Sequence, residues 1–170
     1  MKPIWFALAI FLGVTLNMNA ATSISITSPA FQGGGDIPAK FTCNGTNVSP
    51  GLQISGVPNE AKSLVLIVDD PDAPRGLFTH WIVWNIDPKT TQVAENSAPA
   101  GAVQGTSDFG KRNYGGPCPP SGTHRYFFKI FALDTKLDLK PSARRAELDA
   151  AITISASNNS LRVVVSPICV

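Results

Sequence analysis

A chain of 170 residues has room for one domain of ordinary size. Its 44% hydrophobic and 15% charged residues supply a core and exclude a self-repelling disordered chain. The net charge of +2, with no basic run and no basic-aromatic interleaving, excludes the usual signature of nucleic-acid binding.

The N-terminal stretch reads as a leader. Lys2 is the only charge before Asp36, and Ile4 to Leu16 is apolar apart from Gly13 and Thr15. Small and polar residues follow, ending in Ala20-Ala21. One basic residue, a short apolar run and alanines at the end form the pattern of a secretory signal. The run falls short of the roughly 20 apolar residues a membrane span needs. The expectation is a signal peptide over 1–20, cut near Ala20/Ala21, and a domain over 22–170. The product is then periplasmic or secreted, with no stable membrane insertion.

Export bears on Cys43, Cys118 and Cys169, because disulfides persist in oxidising compartments. Cys43 and Cys118 both lie in turn-rich stretches and form the candidate pair, with Cys169 left over. Three buried thiols are the alternative, and the sequence leaves both open.

Along the mature chain, residues 24–28 alternate apolar and polar, as a half-buried strand does. Leu64 to Val68 is a continuous run that suits a strand buried on both faces. Residues 81–86, 126–133 and 161–165 give further strands. Trp81 and Trp84, three apart on one of them, are expected to face opposite sides. One helix is expected after Pro141, with Ser142 as N-cap and Leu148, Ala151, Ile152 and Ser155 on one face. Fourteen prolines and fourteen glycines punctuate the gaps, so the fold is expected to be mainly β with few helices.

The only two histidines, His80 and His124, each open an apolar strand beside a Pro/Gly-stiffened loop. One loop runs Asp69-Asp70-Pro71-Asp72-Ala73-Pro74, the other Tyr114-Gly115-Gly116-Pro117-Cys118-Pro119-Pro120. Rigid loops hold carboxylates in place, and an aspartate facing a histidine orients it and favours the imidazolium. Glycine N–H groups offer an anion-binding concavity. These features point to one shared site for an anion.

Asp69 to Pro74, Thr79-His80-Trp81 and the long run from Gly110 to Lys129, in that order, resemble the phosphatidylethanolamine-binding protein family. The similarity is strongest to its bacterial and archaeal YbhB/YbcL branch, also labelled Raf kinase inhibitor-like. The resemblance implies a central β-sheet packed with a smaller one, few peripheral helices, and a pocket for a phosphate-bearing anion. No cofactor, no metal and no catalysis are expected. Matching pocket positions are Asp70, His80, Gly116, Pro117, His124 and Tyr126, with Tyr114 as a further wall and Asp72 in support of the pocket histidine. On this reading His80 and His124 supply positive charge or hydrogen-bond donors to the anion, Asp70 and Asp72 orient them, and Gly116 gives a backbone donor. Affinity is then expected to rise as pH falls through the histidine range.

Three other readings compete. Ser121, His124 and Asp70 formally make a hydrolase set, but Ser121 lacks the strand-to-helix elbow that presents a nucleophile. His80, His124 and an aspartate form a candidate metal set, yet their spacing matches no zinc pattern. A secreted interaction factor, such as a protease inhibitor or a host-directed effector, would act through a protein partner that the sequence does not identify.

Overall fold

The computed structural model describes residues 24–157 and 161–164, with side chains as far as Ser155. The expected leader, the end of the last expected strand at Val165, and Cys169 lie outside the described residues.

Among the described residues, eight strands form two antiparallel sheets. The smaller sheet joins β1 (Ser25–Thr27), β2 (Leu52–Ser55) and β5 (Gln92–Val93) in that order. The larger contains β3 (Ser63–Asp70), β4 (Phe78–Ile86), β6 (Val103–Gln104), β7 (Phe127–Leu133) and β8 (Leu161–Val164). Its order is β6-β4-β3-β7-β8, so β3 is central and every one of its residues is buried. A single α-helix among the described residues, α1 (Arg145–Ser157), completes the mainly β architecture expected from the sequence.

Two cores lie on opposite faces of the larger sheet. Leu64, Leu66 and Val68 of β3 pack toward β1 and β2 with Trp81, Phe128 and Ile130. Val65 and Ile67 pack on the other face with Trp84, Leu148 and Ile152 of the helix side. Successive strand residues alternate faces, so an apolar residue at every position of β3 feeds both cores. The two tryptophans divide between the cores as expected.

The alternation breaks twice along β4. Leu64 pairs with Ile86 but Leu66 with Val83, an irregularity that spans Asn85, whose φ is +57°. Asn85 then exchanges two side-chain hydrogen bonds with the Leu137 backbone, at 2.9 and 2.8 Å. The second break lies at the other end. Val68 pairs with Trp81 and Asp69 with Thr79, which leaves His80 as the extra residue of a bulge. Bulges re-aim the side chains they carry.

The helix begins later than expected. Ser142 is not its cap. The Ser142 carbonyl accepts a hydrogen bond from Thr106 at 3.2 Å, and the helix starts at Arg145. The Arg144 N–H donates to Glu147 Oε2 at 2.6 Å, the reach-back half of a capping box. The buried face expected for the helix does hold: Leu148, Ile152 and Ser155 are buried and Ala151 is half-buried.

Cys43 and Cys118 form a disulfide across 75 residues. It ties the turn after a short 3-10 helix (Ala39–Phe41) to the Pro/Gly loop ahead of β7. The Cys43 N–H also donates to the Pro117 carbonyl at 3.0 Å.

Candidate ligand-binding site

Two loops meet at one end of the larger sheet, where β3 passes into the Asp70–Gly76 turn and the 114–126 segment enters β7. They enclose a cavity of about 390 Å³. Asp70, Arg75, Phe78, His80, His124 and Tyr126 are the residues of its wall that carry charge, hydrogen-bonding groups or rings close to them. The two histidines therefore share one hollow, although 44 positions separate them in the chain (124 − 80).

Strand parity decides which aspartate faces it. Asp69 lies on the helix side and is fully buried, paired with Lys129 Nζ at 2.8 Å and with Arg145. Asp70, one residue on, lies on the cavity side, 4% exposed. Its Oδ2 accepts from His124 Nδ1 at 2.7 Å and its Oδ1 accepts from the Asp72 N–H at 2.8 Å. A carboxylate with two oxygens has acceptor capacity beyond these two bonds.

His80 is held differently from the expectation. Its Nδ1 donates to the Gly115 carbonyl oxygen at 2.7 Å, so backbone and not an aspartate orients it. Fixing the proton on Nδ1 leaves Nε2 as the lone-pair nitrogen of the neutral ring. The ring stands edge-on to Phe78, Phe109 and Tyr126, each at a centroid distance of 5.2 Å. Burial pushes the imidazole below the ordinary histidine range, outweighing the pull of the Gly115 carbonyl and the Asp70 charge. At neutral pH His80 thus supplies no positive charge, the first of the two roles expected of it.

Asp72 also serves another partner. It grips Arg125 with both oxygens, at 2.8 Å to Nε and 2.6 Å to Nη2, and accepts the Arg125 N–H at 2.9 Å. The Arg125 side chain and backbone hold its carboxyl well below the usual range. It therefore clamps the two loops together beside His124 and orients no imidazole directly.

Tyr126 is 4% exposed, and burial together with the Asp70 charge pushes its hydroxyl up to about 12. The Cys118 backbone and the Asp70 carboxylate lie near enough to act on that oxygen, yet it has no protein hydrogen bond of sound geometry. Among the described residues only the Trp84 indole shares that condition.

Tyr114, Gly116 and Pro117 lie outside this cavity wall. Tyr114 donates to the Phe41 carbonyl at 2.9 Å, and burial pushes its hydroxyl well up. The Gly116 N–H donates to Asn47 Oδ1 at 2.8 Å, so the backbone donor expected for an anion is already engaged. Its need for glycine comes from close approach: a Cβ there would lie 2.1 Å from the Phe41 carbonyl oxygen. Tyr114 and Gly116 instead line a neighbouring cavity that shares Phe109 and Cys118 with the first. The sequence reading missed Arg75, Phe78 and Phe109 as wall residues. Arg75 and Phe78 sit a few positions from His80, and that proximity was the available signal.

Ser121 is exposed and makes no hydrogen bond to His124. No three His, Cys, Asp or Glu side chains among the described residues group as a metal site.

The two-sheet, mainly β fold is shared with known proteins. The family described as phosphatidylethanolamine-binding protein matches residues 27–164, and the chain belongs to it, in the YbcL-like branch. A UPF0098 protein of Methanothermobacter thermautotrophicus is 51% identical over 130 residues, 74% of this chain and 86% of that protein. The crystal structure of a phosphatidylethanolamine-binding protein homologue, CT736 of Chlamydia trachomatis, is similar with a TM-score of 0.76 at 40% identity, covering 83% of this chain and 92% of that one. Escherichia coli YbcL, described as a member of the mammalian PEBP family, gives a TM-score of 0.76 at 31% identity, covering 86% of this chain and 96% of that one.

Proposed function

We propose that this protein is exported and holds a small phosphate-bearing anion in the Asp70–His80–His124–Tyr126 cavity without turning it over. The observation that carries the reading is the Tyr126 hydroxyl, buried at the cavity and without a protein hydrogen bond of sound geometry. Leaving a buried donor unmet costs about 1–3 kcal/mol, which a bound oxyanion would recover. Arg75 adds a guanidinium at the wall. The cavity volume of about 390 Å³ suits a small molecule.

The absence of turnover rests on the chemistry of the wall. It holds no serine, threonine or lysine, and its one cysteine, Cys118, is in a disulfide. Export is supported by that disulfide, which lasts in an oxidising compartment.

Calorimetric titration with inorganic phosphate and phosphoethanolamine tests the binding. Tyr126→Phe should weaken both about tenfold, the worth of one hydrogen bond to a charged group. Unchanged affinity in that variant would count against the hydroxyl as a ligand donor. N-terminal sequencing of protein recovered from the periplasm or medium should begin at Ala21 or Thr22.

A further inference from the structure

The cavity floor is richer in hydrogen-bond acceptors than an ordinary anion site. Asp70 brings a carboxylate, and His80, with Nδ1 committed to Gly115, brings a bare Nε2. The Asp70 charge acts on both His80 and Tyr126. The remaining charges nearby are largely committed. His124 gives its Nδ1–H to Asp70, Arg125 is clamped by Asp72, and Asp108 accepts the Thr79 N–H at 2.7 Å. Asp69 turns to Lys129 and Arg145 on the other face. Arg75 and the Tyr126 hydroxyl remain for an oxyanion.

Such a floor repels a fully deprotonated anion. Like charge beside Asp70 is unfavourable, and an oxygen facing Nε2 sets lone pair against lone pair. An anion that carries its own O–H removes both conflicts, because the hydroxyl donates to the acceptor while the other oxygens meet Tyr126 and Arg75. We infer that the site selects an anion able to donate a hydrogen bond, a monoprotonated phosphate monoester or inorganic phosphate, over a phosphodiester or sulfate. This rests on the anion-pocket reading and makes Asp70 and His80 its specificity residues. Sites built to bond a ligand hydroxyl discriminate strongly against analogues that lack it.

Isothermal titration of the purified protein near pH 5.5 with phosphoethanolamine, glycerophosphoethanolamine, inorganic phosphate and sulfate decides it. The monoester and inorganic phosphate should bind at least about tenfold more tightly than the diester and sulfate. The preference should shrink as pH rises past the second ionisation of the monoester, at about 6. His80→Gln sets an amide N–H where the ring offers a lone pair, and should bring the four anions within about threefold of one another. The unmodified protein carries the comparison even if that variant folds poorly. Equal affinity for monoester and diester would overturn the inference while leaving the pocket an anion site. No binding of any of the four would overturn the anion reading as well.

Discussion

His80 keeps its proton on Nδ1 because the Gly115 carbonyl lies 2.7 Å away, and it stays neutral because the ring is buried among three aromatic side chains. Its folded pKa therefore lies below the ordinary value, while in the unfolded chain it returns to about 6.5. On acidification the unfolded state takes up its proton first, so stability rises with pH across the interval between the two values. The contribution is complete above pH 6.5 and is lost as pH falls below it. The urea midpoint should drop between about pH 7.5 and pH 5.5, and His80→Gln should flatten that drop. A midpoint that rises on acidification would mean that His80 is a cation in the folded protein.

At the scale of elements, the strands that carry long apolar runs were plain from sequence, because burial on both faces demands such runs. β5 and β6 have two residues each and no pattern could announce them. The bulge at His80 was equally hidden. It arises from a one-residue slip against β3, which depends on pairing and not on residue type. Gly116 was read as a donor to ligand because its partner, Asn47, lies 69 residues away. The helix start was misplaced because serine is a good cap in general, whereas here Glu147 reaches back to Arg144. The Cys43–Cys118 bond closes this set of loop contacts, holding the segment that presents the Gly115 carbonyl to His80. Replacing both cysteines by serine should cost about 4 kcal/mol in the chain-entropy description of a loop this long. Denaturant unfolding measures the loss. Anion affinity should fall with it, because the wall that contains Cys118 is no longer tethered.

The whole molecule is a sheet with different work on its two faces, and the adjacent pair Asp69 and Asp70 marks the division. Both were visible as part of one motif, but only the fold sends one to the helix and the other to the cavity. Asp69 is fully buried with two cations on it, and Arg145 extends the network to Asp149 at 2.7 Å. This network fastens α1 to the back of β3 and β7. Asp69→Asn leaves Lys129 and Arg145 poorly compensated, and breaking a buried pair in this way costs about 3–5 kcal/mol. That change breaks no hydrogen bond of the cavity face and removes only the lesser pull of the Asp69 charge on His80. The variant should therefore unfold at markedly lower urea while binding inorganic phosphate within about threefold of the parent, since the pairs it breaks lie on the face of β3 opposite the cavity. The disulfide variant, by contrast, should lose both properties together. Calorimetry on both proteins under conditions where each stays folded separates the two cases. Loss of phosphate affinity in Asp69→Asn would show that the two faces are coupled through β3, and that the helix side helps to set the cavity.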